Sequence, residues 1–422
     1  MANREITAAR IATDNNIATN YQTELIALRA AEVAPYFTVG SKKFIEDSEL
    51  VNKRNGQTYG FVIRDRAQVE NQLNVSAGAK KDIAEREVQL SIEPWHVYVK
   101  NNAVEGKTDL QFDQEVAEPN GLALIQEAVK KSIAKDFSNS ATAFVGNVGE
   151  FEPLSMATGY LGSIITEPLY GFVDHMIEAI VTSKGAQFVP VDAPAMYKQG
   201  LIGHFHGADY RSQRFVPRVR VSKALADALE GATFGGFAID NEGKSKLTIT
   251  FGTAAAAATK VQKGMPFFID GVVATDTIGD PTTQPYAFIA KADVSVASGA
   301  TSVVIEVEPI DVRFGGTREA ALEDGSAINW ASLPLTTGVS APAEGVYFTG
   351  IIRANGVFEF QTLNDVDVCT PESSKGSVQG ITVFRNRMTD MDNFTTGTRL
   401  DTFTISGVVD KRCQAAVYIK AR

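Results

Sequence analysis

Four short runs decide how this chain is read: Lys246-Leu-Thr-Ile-Thr-Phe251, Tyr286-Ala-Phe-Ile-Ala290, Ser302-Val-Val-Ile-Glu-Val307 and Gly345-Val-Tyr-Phe-Thr-Gly-Ile-Ile352. Each is rich in Val, Ile, Thr or aromatic residues, and Gly, Asp, Pro and Ser lie between them, the pattern of β-strands joined by turns. From about Gly235 to Phe360 there is almost no helical periodicity and no His or Cys. Helical patterns precede this block. Strand-like runs follow it: Gly380-Ile-Thr-Val-Phe384, Leu400-Asp-Thr-Phe-Thr-Ile-Ser406 and Ala415-Ala-Val-Tyr-Ile-Lys420. The simplest topology sends the chain out of an α/β domain, through a self-contained β-module, and back. Insertion of this kind is tolerated where entry and exit lie close together.

Composition sets the frame. A length of 422 residues suits two or three domains with a full core, and 44% hydrophobic with 21% charged residues is ordinary for a globular chain. No run approaches the roughly 18 apolar residues of a membrane span, and Met1-Ala-Asn-Arg-Glu-Ile-Thr7 lacks the apolar core of a signal peptide. Two cysteines, Cys369 and Cys413, argue against a disulfide framework and for a reducing cytoplasm. The net charge of −10 disfavours tight binding to nucleic acid or an anionic membrane.

Outward from the block, Ile6 to Ala31 carries helically spaced Ala and Ile, a candidate arm punctuated by Pro35 and Gly40. Residues 55–102 predict a long two-armed β-ribbon. One arm starts at Gln57–Arg64, the other is Arg86–Lys100, and a polar tip runs from Asn71 to Asp82. An arm of about 15 residues spans about 50 Å. A lone two-stranded ribbon is marginal in water, so it is read as lying on a surface, either of this subunit or of a neighbour.

The strongest helical stripe is Leu122, Ile125, Val129, Ile133, Phe137, Ala141 and Phe144. Asn120 is read as its cap, Glu127 and Lys131 as an i,i+4 pair, and Gly146 as its end. About 24 residues give a spine of roughly 36 Å. A second helix is predicted from Pro168, with Leu169, Phe172, Val173, Met176, Ile177 and Ile180 buried and Lys184-Gly185 closing it. A strand at Ala186–Pro190 and a turn to Gly200 follow.

Candidate sites each have a plain reading beside the chemical one. His204 and His206 with Asp209 have the residue types of a metal site, but no further ligand cluster accompanies them, and a polar loop is favoured. Gly243-Lys244-Ser245 ends like a phosphate-binding loop. Ala238 stands where the first Gly is needed and no helix pattern follows, so a hairpin turn at Asp240–Gly243 is favoured. The pairs Asp365/Asp367 and Asp390/Asp392 read as solvated loop carboxylates rather than an acid–base pair across a cleft. Cys413 reads as a buried thiol. Arg211, Arg214, Arg218, Arg220 and Lys223 form a basic stretch with little aromatic interleaving. Contact with an acidic patch on a neighbouring subunit, or solvation, outweighs contact with DNA. The ribbon charges Arg54, Arg64, Arg66, Asp82, Glu85 and Arg86 are likewise candidates for intersubunit pairs. Exposed pairs contribute roughly 0–1 kcal/mol each and serve register more than strength.

The order of elements resembles the major capsid proteins of tailed double-stranded DNA bacteriophages, and most of all the coat proteins of short-tailed phages with an inserted β-barrel domain. Three stretches carry the resemblance. They are the spine helix Leu122–Phe144; the unit Leu169–Gly200, with Pro194, Tyr197-Lys198 and Gly200; and Lys246-Leu-Thr-Ile-Thr250 followed by Lys263-Gly-Met-Pro-Phe-Phe-Ile-Asp-Gly271. The resemblance implies an α+β, HK-97-like capsid fold with an inserted all-β barrel-like domain. It divides the chain into an N-terminal arm (1–54), an extended ribbon (55–102), a peripheral domain with the spine helix (103–165), and the first part of an axial domain (166–224). The inserted domain (225–360) and returning axial and peripheral strands (361–422) complete it. It implies a structural protein without catalytic residues, metal or cofactor. Pentamers and hexamers of an icosahedral shell would enclose the genome, assembled in the host cytoplasm with scaffolding and portal proteins, touching packaged DNA only weakly and no membrane. A tail, fibre or surface binding protein using the β-module is the alternative, and a hydrolase the third.

Overall fold

The computed structural model describes residues 23–24, 26–28, 34–43, 45, 58–64, 85–102, 118–147, 152–179, 201–205, 207–308, 310, 319–363, 373–390 and 395–421. The fold is mixed, mostly strands with few helices, and divides into two compact units: Met1–Gly60, Gln89–Ser132 and Glu359–Gly407 in the first, Phe61–Val88, Ile133–Phe358 and Val408–Arg422 in the second.

The first unit is built on a six-stranded sheet. Its longest strand, Thr395–Val408, pairs with Phe358–Thr362 and Ile381–Asp390, and its residues Thr395–Thr404 run antiparallel to Glu93–Asn102. Helix α1 (Glu118–Phe137) starts in this unit. Leu124, Ile125, Ala128, Val129, Ser132 and Ile133 are buried, the three-and-four spacing of one helix face. Gly121 lets α1 approach closely, since a Cβ there would meet Ile26 and Leu400. The Ser132 and Ser406 hydroxyls lie 3.0 Å apart, and Lys131 sits 5.0 Å from the Trp95 ring, whose Nε1 donates to Thr404.

Three expectations are corrected here. The helix begins at Glu118, so Asn120 lies within its first turn, and it stops at Phe137. Ser138, Asn139 and Ser140 favour turns over helix, and Ala141 and Phe144 continue into a strand, Thr142–Gly146. Glu127 pairs with Lys130 rather than Lys131. The second ribbon arm is divided: Glu85–Ser91 pairs with Thr58–Arg64, whereas Glu93–Asn102 joins the sheet just described.

The second unit holds a seven-stranded sheet in the order Thr142–Gly146, Gln414–Lys420, Gly345–Ala354, Leu169–Val173, Ala208–Ser212, Leu201–Phe205, with Val219–Val221 also on Gly345–Ala354. Helix α2 (Glu152–Ile164) covers one face with Leu154, Ala157 and Leu161, packed with Val173, Ile352, Val417 and Ile419. It was not predicted from sequence; Pro153 at its start and Gly159 and Gly162 within it mask the pattern. Leu169–Val173, read as helix, is a strand. A five-residue apolar run fits either state by periodicity, and its aromatic residues and Gly171 favour the strand. A helical turn follows only at 175–179. Ile180, the Lys184-Gly185 close, the predicted strand at 186–190 and the turn to Gly200 lie outside the described residues.

Between helix α3 (Lys223–Leu229) and Gly345 the chain makes only strands and turns among the described residues. They form three antiparallel sheets: Thr233–Ile239 with Ser245–Thr250 and Ser302–Val307; Thr259–Val261 with Val294–Val296; and Pro266–Thr275 with Pro281–Ile289, Ala320–Leu322 and Val339–Ser340. Gly345–Ala354, one of the four runs that suggested the block, hydrogen-bonds into the seven-stranded sheet instead. The returning strand Gln414–Lys420 runs beside it, parallel to Thr142–Gly146, and its first six residues are buried. Phe137 meets Tyr418 edge-on at 5.4 Å, and the Tyr418 hydroxyl donates to the Gly264 carbonyl at 2.6 Å.

Burial pushes the phenol of Tyr160 up to about 12 and those of Tyr210 and Tyr418 above the ordinary tyrosine range. Neutral phenols therefore favour the fold. Their contribution is complete below about pH 10 and is lost as pH rises through the folded-state values, because the unfolded chain releases its phenolic protons first. Tyrosinate absorbance followed together with far-ultraviolet circular dichroism should show these phenols ionising only as structure is lost. Full tyrosine ionisation near pH 10 with the fold intact would contradict this packing. Phe137→Ala should lower stability by about 3–5 kcal/mol in denaturant unfolding.

Candidate assembly surface and charge clusters

The basic stretch begins on strand Ala208–Ser212 and runs through Val219–Val221 into α3. Arg211 is half-buried on the first strand, Arg214 and Arg220 are exposed, and Lys223 is the exposed first residue of α3. Arg218 is engaged within the chain. Its Nε donates to Asp174 Oδ2 at 2.9 Å and its Nη2 to Oδ1 at 3.2 Å, with the guanidinium 5.2 Å from the Phe348 ring. Asp174 is buried at the end of strand Leu169–Val173, where it also accepts from the Met176 backbone N–H. Its hydrogen bonds hold the Arg218 guanidinium above the usual arginine range.

On the ribbon, Arg64 Nε donates to Glu85 at 2.6 Å, an exposed pair across the two strands. Arg86 forms an ion pair with the buried Glu319. Arg54, Arg66 and Asp82 lie outside the described residues. The structure thus gives Arg64, Glu85, Arg86 and Arg218 partners in their own chain and leaves Arg214 at the surface.

Glu319 belongs to a cluster that sequence reading missed. Lys411, buried beside it, is its second cation and lies 5.8 Å from the Tyr286 ring. Arg412 grips Asp410 through Nε at 3.0 Å and Nη2 at 2.8 Å, and its Nη1 donates to the Asp276 carbonyl at 2.8 Å. Burial pushes the Asp410 carboxyl up, but the Arg412 guanidinium overrides it and leaves the group below the usual carboxylate range. Burial pushes the Lys411 ammonium down. The available signal was Asp410-Lys-Arg412, three charges wedged between the apolar Val408-Val409 and the buried run from Cys413.

The chemical candidates resolve differently. Asp240 and Gly243 make the expected hairpin turn: Asp240 Oδ1 accepts from the Glu242 and Lys244 N–H groups, and Gly243 has a positive φ of 79°. Those hydrogen bonds, led by that from Lys244, hold its carboxyl below the usual range. Cys413 is buried in the apolar cluster under α2. His206, Asp365, Asp367, Cys369 and Asp392 lie outside the described residues. His204 is placed opposite Asp209 in the strand register, and no three His, Cys, Asp or Glu among the described residues are grouped to hold a metal.

One unpredicted cluster resembles a catalytic triad: His175 contacts Glu178 at 3.0 Å and also Ser212. Both partners meet Nδ1. A triad needs the nucleophile and the orienting acid on opposite ring nitrogens, so this geometry cannot pass a proton from Ser212 through the ring. The open cavity of about 470 Å³ lined by Ala143, Val145, Phe268, Asp270, Thr283 and Glu323 holds no His or Cys. No helix among the described residues is long and apolar enough to cross a membrane.

No family model and no curated protein matches this chain. Among solved structures it is similar to phage capsids. One is the capsid of Ralstonia phage GP4, at 8% identity over 92% of this chain and 89% of that one, with a TM-score of 0.46. Another is the capsid of Helicobacter pylori bacteriophage KHP30, at 8% identity over 92% and 89%, with a TM-score of 0.42. The mature capsid of bacteriophage PhiM1 matches at 8% identity over 91% and 86%, with a TM-score of 0.41.

Arg218→Ala would leave the buried Asp174 without its guanidinium and should cost about 1–3 kcal/mol in urea unfolding. Arg64→Ala, which breaks an exposed pair, should change stability by under about 1 kcal/mol. Equal effects would contradict the contrast in burial.

Proposed function

We propose that this chain is the major capsid protein of a tailed double-stranded DNA bacteriophage, many copies of which assemble as pentamers and hexamers of an icosahedral shell around the genome. The observation that carries the reading is the ribbon. Thr58–Arg64 pairs with Glu85–Ser91 and, among the described residues, with no third strand. Val62 projects from it with 54% of its surface exposed. Tyr59, Val88 and Leu90 are buried, so the chain itself covers part of the ribbon. Two strands alone are marginally stable in water, and in this reading a neighbouring copy in a repeating shell covers the side that leaves Val62 exposed. The order of elements supports the same reading: ribbon, α1 beside a sheet, mixed sheet, β-block, returning strands.

In this reading the three small sheets of residues 233–340 act together as one barrel-like inserted domain. The strands that follow return to the axial and peripheral domains. The chain does its work without catalysis. Assembly takes place in the host cytoplasm with scaffolding and portal proteins, and the acidic balance keeps contact with packaged DNA weak. The contact candidates of this reading are Arg54, Arg66, Asp82 and Arg214, joined by Arg211 and the outer edges of the pairs at Arg64, Glu85, Arg86 and Arg218.

Negative-stain electron microscopy tests the ribbon's part. The full chain should form shells or five- and six-membered rings. Deleting about residues 68–80 should leave a folded subunit that assembles poorly. Normal shells from the deletion would contradict the reading.

A further inference from the structure

We infer that Glu319 is a positioning residue for the ribbon: it holds Arg86, and with it the start of strand Glu85–Ser91, at one place within the second unit by sharing its carboxylate between Arg86 and Lys411. The three residues come from segments far apart in sequence, namely the ribbon, the last part of the β-block and the turn before Gln414–Lys420. Glu319 has no exposed side-chain surface, Lys411 has 2% and Arg86 has 22%. A buried carboxylate holds a fixed geometry because leaving it without a cation is costly.

The charges are arranged so that the two cations differ in role. Arg412 is taken by Asp410 on two donors, so Glu319 is left to Lys411 and Arg86. If Arg86 is removed, Glu319 keeps Lys411 and Asp410 keeps Arg412, two acids facing two buried bases. Arg86 is thus the separable member, and its partial exposure lets solvent take up its charge. If Glu319 is neutralised, Arg86 and Lys411 face each other without the shared carboxylate, and Arg86 already depresses the Lys411 ammonium. Arg86 therefore fixes the ribbon, Lys411 belongs to the core, and Glu319 couples the two.

This deepens the assembly reading and rests on it only for the consequence that a fixed ribbon is presented to a neighbouring copy. The latch itself is measured on the separated subunit, by hydrogen exchange with mass spectrometry. Arg86→Met should keep a cooperative melt while amides of Thr58–Arg64 and Glu85–Ser91 exchange at least about tenfold faster and the seven-stranded sheet does not change. Glu319→Gln should give the same local rise together with a lower melting temperature. The double variant should exchange no faster in the ribbon than either single one, because both break one interaction. Unchanged ribbon protection in Arg86→Met, a rise spread evenly over the chain, or additive effects in the double variant would overturn the inference. An unassembled full chain would instead count against the assembly reading and leave the exchange result standing.

Discussion

A strand buried along nearly its whole length must find partners on both edges and cover on both faces. Gln414–Lys420 meets all four demands with chain-distant pieces. Thr142–Gly146 and Gly345–Ala354 take its edges, α2 covers one face, and Phe137 with the Gly264 carbonyl receives Tyr418 on the other. Its polar first residue is anchored too, since the Gln414 amide nitrogen donates to Asp136 O at 2.7 Å and Ser140 Oγ at 3.0 Å. The seven-stranded sheet cannot close until the chain has left through the β-block and returned. The β-block and the sheet accordingly belong to one compact unit.

The same return brings Asp410, Lys411 and Arg412 against Glu319 and Arg86. Buried charges are a poor source of net stability, but each demands its partner and so specifies one arrangement. Here the demand reaches from the core to the first residues of strand Glu85–Ser91. Exposed pairs such as Arg64–Glu85 guide strand register with little energy of their own. The buried pairs thus give this chain a fixed form, and the exposed ones leave their charges at its surface.

Much of this was legible in the sequence where periodicity was strong and local. The spine stripe from Ile125 to Phe137, the strands around Lys246–Phe251 and Ser302–Val307, and the returning runs at Leu400 and Ala415 all correspond to elements of the fold. Errors arose where one pattern served two structures. Ala141 and Phe144 keep helical spacing but follow the turn-forming Ser138-Asn-Ser140 and belong to a strand. Leu169–Val173 is too short for period alone to separate strand from helix. Glycines concealed α2. The Arg86–Glu319–Lys411 cluster depends on tertiary contacts between segments far apart in sequence, so only the oddity of three charges between apolar runs hinted at it.

Sedimentation velocity of the full, unmodified chain bears most directly on the claim that this is a self-assembling shell subunit. The account predicts discrete fast-sedimenting species, rings of five or six subunits or closed shells, in equilibrium with a compact subunit and growing with concentration. A single monomer or trimer boundary that does not change across the accessible concentration range would contradict it.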